Sequence, residues 1–507
     1  MLRQRTPRGF CADYRQTDRY NGRRARRARR RAGTRLTITA KGVAMLVMPE
    51  GNSLVPVVLV GCIPVIFILF ALLPGRRAAL AGFLGGWMFL PNAGFQIQYF
   101  PEYNKAMATC VGIFAATLVF DMDRFRRFRP CWIDLFPLTL SIVPFFSSLS
   151  NGLGAYDGFS AMTGAFTSWM LPYLVGRLYF TDLKGMRELI LGFFIAGLIY
   201  LPFCLWEMRM SPNLHYHVYG FNPSAFVQAY RGGGYRPVVF MRHGLMTVMF
   251  LGMSALCGFA LWLSGAKKTF LNLPIALPIG ALVLITLLCR STGAQVLMLA
   301  GIGALLFMRY VRNPLPVVGL ALFVVAYVVI RGGGLWDGQD LIRLADDAFG
   351  SERASSLETR IANENALSAK ARQRILLGWG GWGRNRVKDD FGRDASITDG
   401  LWVIILGTNG AIGIAAFLGT MLVPALMLIG RVPPRFWMHP SAAAATAGAL
   451  ICCLWVADCI PNSMFNPIYM VTTGGLAAFR KVRVMQRQPA RNVNRVNGAA
   501  PARRMEA

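Results

Sequence analysis

Apolar runs near 20 residues recur along almost the whole of this chain, and no other feature limits its fold so sharply. A helix needs about 20 apolar residues to cross roughly 30 Å of hydrocarbon. Such runs fall at 54–73, 78–95, 105–121, 132–149, 161–180, 187–206, 243–264, 271–289, 292–309, 314–331, 410–430, 441–460 and 465–479. With 54% hydrophobic and only 15% charged residues, the 507-residue chain has no long soluble stretch outside one polar interval. The expected fold is an all-α polytopic membrane protein of 12–13 transmembrane helices, the count turning on the short second and last runs. Pro64, Pro144, Pro172, Pro202, Pro278 and Pro424 fit membrane helices whose neighbours re-satisfy the backbone.

The net charge of +30 sits mostly at the two ends. Residues 1–53 form a basic N-terminal segment and 480–507 a basic, disordered cytoplasmic tail, compositions that are solvated or lie against anionic lipid. Neither shows the aromatic interleaving or motif of a nucleic-acid binder, so no nucleic-acid partner is expected. Most of the ten cysteines fall inside apolar runs, where they behave as small hydrophobes, so neither a disulfide framework nor a metal site is indicated. Basic loops at 123–129, 265–268, 309–312 and 431–435 occupy alternate connections, which the positive-inside tendency places in the cytoplasm. By the same parity Arg76 and Arg77 lie inside, and the basic leader falls outside. A translocated segment so basic is disfavoured, so the expected start is Met45 or Met48, with no secretory signal peptide.

The remaining order follows from this. Residues 54–331 form a transmembrane bundle that includes an outward loop at 207–242. Residues 332–398 form an extracytoplasmic helical cap, since Ile361, Leu367, Ala371, Ile375 and Leu376 recur at helical spacing. Residues 399–479 return to the membrane and supply the last helices.

Arginine concentrates on the outward side: Arg236 and Arg242 in the loop, Arg290 at a turn between spans, and Arg353, Arg360 and Arg384 on the cap, the last followed by Asn385. One arginine at a helix end commonly snorkels to the headgroups. Several converging on one side instead suit bidentate capture of phosphate oxygens. His243 sits at the mouth of a span beside Arg242. His215 and His217 would share one strand face, but with no third ligand they suggest no metal. Asp399, where the cap returns, reads equally as a helix N-cap or as a general base.

Three stretches carry a resemblance. They are Tyr235-Arg236-Pro237-Val238-Val239-Phe240-Met241-Arg242-His243-Gly244, Cys289-Arg290-Ser291-Thr292-Gly293-Ala294, and Thr398-Asp399-Gly400-Leu401-Trp402 followed by Gly407-Thr408-Asn409-Gly410-Ala411-Ile412-Gly413. In this order, with a large outward loop, they resemble the O-antigen ligase and O-antigen polymerase superfamily, closest to its exopolysaccharide polymerase branch, over about 150–480. The resemblance implies glycan transfer from undecaprenyl pyrophosphate-linked oligosaccharide at the outer face of a bacterial cytoplasmic membrane, without metal or other cofactor. It implies lipid-pyrophosphate binding by Arg236 and Arg290, and partners such as membrane lipids, a chain-length regulator and export subunits. The ligase branch has a His-Asn pair where this chain reads Thr398-Asp399, which favours a polymerase.

The expected reaction is therefore polymerisation. Arg236, Arg242 and Arg290 would meet the departing pyrophosphate and Asp399 would take the hydroxyl proton. His243, Arg353, Arg360, Arg384 and Asn385 would hold substrate. The alternatives are an O-antigen-type ligase and, from another class, a glycolipid or anionic-substrate transporter, which should show broken helices in matching internal repeats.

Overall fold

The structure is a computed structural model that describes residues 46–47, 50–97, 102–231, 233–349 and 351–479. The basic leader through Met45, Met48 and the tail from Arg480, with the expectations drawn from them, lie outside the described residues.

Helices dominate. In chain order they are α1 (Leu54–Leu72), α2 (Gly75–Phe89), α3 (Lys105–Phe120), α4 (Asp123–Arg126), α5 (Leu135–Ser150), α6 (Gly154–Ala165) and α7 (Leu171–Tyr179). Next come α8 (Leu183–Met210), α9 (Leu214–Tyr219), α10 (Gly244–Leu263), α11 (Ala276–Leu288), α12 (Thr292–Tyr310) and α13 (Leu315–Gly333). The last are α14 (Gln339–Phe349), α15 (Ser351–Arg372), α16 (Leu401–Arg431), α17 (Ala443–Asp458) and α18 (Ile468–Ala477). Among the described residues seven helices are long and apolar enough to cross a bilayer: α1, α5 with the short turn before it, α8, α10, α12, α13 and α16. The chain is a multi-pass α-helical membrane protein.

Hydrogen bonds sort the connections into two sets, one at each end of the bundle. At one end, the N-cap side of α1 meets the α9 segment through Asn52 and Tyr219, and Asn92 after α2 meets His215 and Phe240. There too Asn151 after α5 meets Gly378, and Leu401 meets Cys459 after α17. Helices α14 and α15 cap this end. At the other end Arg76 pairs with Asp182, Arg177 with Asp134, Arg187 with the Ala266 carbonyl, and Arg431 with the Ala477 carbonyl.

Helices α10, α17 and α18 lie innermost, with nearly every residue buried. Helix α17 owes this to its run of small residues, which lets backbones approach closely without a water-driven force between helices. Helices α7 and α18 approach closer still: a Cβ on Gly474 would fall 2.0 Å from the Tyr173 carbonyl, and one on Gly176 2.0 Å from that of Val471.

Three places depart from expectation. Helix α16 begins at Leu401, not near 410, because the Leu401 N–H is taken by Cys459 and Asn462 carbonyls from the α17 end. It breaks at Gly410, with φ 66° and ψ −164°. The break is stitched by the segment after α15: Trp379 and Gly380 N–H groups bond Gly407 and Thr408 carbonyls, while Ala411 and Ile412 N–H groups bond Ile375 and Leu376 carbonyls. Non-helical backbone at membrane depth persists only where protein satisfies it so. The His215 segment is the short helix α9, not a strand. Its His215 ring accepts from the Asn92 N–H and donates to the Phe221 carbonyl, while His217 is exposed on another face. Finally, a π-helical turn, Phe166–Met170, joins α6 to α7 and interrupts the expected fifth span.

Candidate functional site

A cavity of ≈ 830 Å³ opens at the capped end, at the upper part of the usual range for small-molecule sites. Its walls come from six parts of the chain: the end of α2 with Asn92, the start of α3, Ser168 of the π turn, the loop before α10, and the Thr398–Ile404 and Ser463–Phe465 segments.

Local structure explains the wall before α10. Glu207, near the end of α8 and fully buried, accepts the N–H groups of Leu214, Val238 and Val239. That carboxylate hangs the loop off α8, and the Thr247 hydroxyl holds the Val238 carbonyl from α10. The turn forces Val239 to φ 55°, an uncommon conformation for a β-branched residue, and delivers Arg242 and His243 to the cavity. His243 caps α10: its Nδ1 accepts the Leu245 N–H, so its Nε2–H donates to Gln228 Oε1 at 3.0 Å. Burial, then Arg236, Arg231 and Arg242, push the His243 pKa down to about 4. The ring is therefore neutral at pH 7.

Arg236 is 6% exposed. Its chain lies flat on Gly244, where an added Cβ would fall 2.6 Å from Arg236 Cδ. One guanidinium nitrogen donates to the Arg290 carbonyl at 3.1 Å, and Nε has no partner. Burial and the neighbouring Arg231 lower its pKa from the usual arginine value. Arg290 turns at φ 53° and lays its guanidinium on Gly234, in the hairpin of β-strands Tyr230–Arg231 and Gly234–Tyr235. Among the described residues no carboxylate lies within 4.0 Å of Arg231, Arg236, Arg242, Arg290 or Lys105.

The expected site residues thus divide. Arg242 and His243 line the cavity, and Arg236 and Arg290 form a layer joined to each other behind them. Asp399 is not on the lining, although Thr398 beside it is. Its carboxylate lies 4.0 Å from Arg360, and α16 is capped at Gly400 with no side-chain bond. Arg384 and Asn385 sit beside the break in α16. Arg384 Nε donates to the Trp379 carbonyl, its Nη2 has no partner, and Asn385 packs on Gly407. The Arg353 side chain lies outside the described residues.

Sequence reasoning missed Lys105, Glu102, Asn92 and Gln228 on the lining, and Glu207 behind it. Lys105 and Glu102 flank an apolar run, where charges ordinarily face water, so nothing in their spacing marked them. Glu207 carried a readable signal, an acid directly at the end of the apolar run 187–206.

These features define a multi-pass α-helical membrane protein with a cationic, polar cavity at the capped end of its bundle. No protein-family model matches the chain, and no curated protein is significantly similar to it in sequence.

Proposed function

We propose that the protein is an integral-membrane polysaccharide polymerase that joins oligosaccharide repeats carried on an isoprenoid pyrophosphate, with the capped end facing away from the cytoplasm. The observation that carries this reading is the group of Arg242, Arg236 and Arg290 around the cavity with no acidic partner among the described residues. Arg236 is buried without a counter-ion, which is costly, and the exposed Arg242 and Arg290 add charge beside it, so the group suits a polyanionic ligand. The basic loops of the opposite end support the orientation.

In this reading an acceptor hydroxyl attacks the anomeric carbon of the donor repeat. The new C–O bond forms as the bond from that carbon to the pyrophosphate oxygen breaks, and isoprenyl pyrophosphate departs with the electron pair. Arg242 meets the charge building on that oxygen, the neutral His243 holds Gln228 on the lining, and Arg236 and Arg290 support them from behind. Preorganised donors of this kind usually dominate such steps. Glu102, the carboxylate on the lining, is better placed than Asp399 to take the hydroxyl proton.

A deletion strain carrying Arg242→Ala at normal protein level tests the reading through the size profile of its polysaccharide. The expected profile is single repeats with no high-mass polymer. Full-length polymer would remove Arg242 from the reaction. Normal-length polymer left unattached in the deletion strain would mark a ligase, and repeats trapped on the cytoplasmic face a transporter. The break in α16 is a feature a transporter would share, but its backbone groups are taken by the cap segment instead of being left open to a ligand.

A further inference from the structure

The cavity holds a second cation, a buried one, supplied by a different part of the chain from the arginines. Lys105 is the first residue of α3, and with Asn104 and Ala106 it lines the same space as Arg242. It is 7% exposed. Its ammonium has two contacts, the Trp87 carbonyl at 3.5 Å and the Trp87 ring at 4.2 Å from the centroid. Neither neutralises it. Glu102, three residues away, is exposed and packs over Gly94, with no ion pair among the described residues. The Asn104 side chain takes the Ala106 and Met107 N–H groups, which fixes the start of α3, and the positive end of that 16-residue helix dipole adds to the ammonium.

Keeping an ammonium buried in a cavity that also holds Arg242 is costly, and an anion bound between the two offsets that cost. The arginine side, with its planar forks, already suits a pyrophosphate. Lysine is a compact point charge with three donors and suits a smaller oxyanion. The lining also offers neutral polar side chains (Asn92, Ser168, Ser224, Gln228, Thr398 and Ser463), which suit hydroxyl groups.

We propose that Lys105 at the start of α3 is a specificity subsite for a carboxylate on the bound saccharide, so that the glycan handled here contains an acidic sugar of the hexuronate kind. This rests on the glycan-transfer reading and names its substrate class. In a lipid-linked acceptor the pyrophosphate is at the far end from the attacking hydroxyl, so the second anion near the reacting carbon belongs to the sugar.

Full-length protein in lipid nanodiscs is titrated with trigalacturonate, with maltotriose and with sodium pyrophosphate. The wild-type protein should bind trigalacturonate at least tenfold more tightly than maltotriose. Lys105→Gln should reduce that preference below threefold while leaving pyrophosphate affinity within twofold, and Lys105→Arg should restore part of the preference. Equal affinity of the wild-type protein for the two sugars overturns the proposal and needs no variant. So does an intact preference in Lys105→Gln, or a parallel loss of pyrophosphate binding, which would place Lys105 in the pyrophosphate site. Absence of pyrophosphate binding in the wild-type protein, with the sugar preference kept, would instead sink the pyrophosphate reading alone.

Discussion

Arginine meets two different fates at the two ends of this bundle. At the uncapped end Arg177 is buried and donates to both oxygens of Asp134, at 2.7 and 3.0 Å, and to the Arg129 carbonyl. Arg76 pairs with Asp182 at 2.6 Å, and Arg431 spends its donors on the Leu476 and Ala477 carbonyls. At the capped end Arg236 is as deeply buried but keeps one donor unused and has no acid nearby. The capped end can satisfy an arginine when structure calls for it: Arg331 bonds Glu364, Asn365 and the Trp336 carbonyl, and Glu364 also takes Tyr327 and Trp402. That cluster ties α15 to α13 and α16. Paired guanidinium groups hold helices together, while in the proposed function the unpaired ones near the cavity are assigned to a ligand.

The contrast breaks most visibly by stranding a paired arginine. Asp134→Ala leaves Arg177 buried without a counter-ion and should cost about 3–5 kcal/mol, read as a collapse of the thermal unfolding midpoint or failure to accumulate. Arg242→Ala should do the opposite. Stability stays within about 0.5 kcal/mol, as for an exposed side chain, while polymer formation falls about 100-fold, the scale of losing one transition-state donor. If Arg242→Ala proved as destabilising as Asp134→Ala, the distinction between the two ends would fail.

Smaller effects sharpen the picture. Gly410→Ala places a Cβ 2.2 Å from the Leu376 carbonyl at φ 66° and should cost about 2 kcal/mol or more, loosening the cap as seen by faster proteolysis between α15 and α16. The two loop histidines set a pH dependence. His215 and His243 are both pushed down to about 4, chiefly by burial, against about 6.5 in an unfolded chain. Protons therefore bind the unfolded chain first, so stability present above about pH 6.5 should drain away as pH falls towards 4. Unfolding midpoints at pH 7.5 and 4.5 read this, and His243→Gln should flatten the slope. Least of all, Arg126→Ala removes an exposed contact with Asp123 and should change stability by less than about 0.5 kcal/mol.

The bundle was legible because hydropathy over 20 residues is a local property, and α1, α8, α10 and α13 fall where their apolar runs predicted. The arginine group was legible in part for the same reason, since charge at the mouth of an apolar run stands out. What escaped depends on partners distant in sequence. The start of α16 depends on Cys459, the break at Gly410 on Ile375 and Leu376, and the burial of Lys105 on chain folding over it from elsewhere. Asp399 illustrates the limit: its sequence position suits a cap or a base, and the Arg360 beside it lies on a different helix.

The central claim, that the unpaired cations of the capped end await a pyrophosphate, is tested most directly by ligand-induced stabilisation. Sodium pyrophosphate should raise the unfolding temperature of the wild-type protein in a concentration-dependent way. That rise should persist in Arg76→Gln and vanish in the double variant Arg236→Gln/Arg242→Gln. No rise in the wild-type protein, or an equal rise in all three, would contradict it.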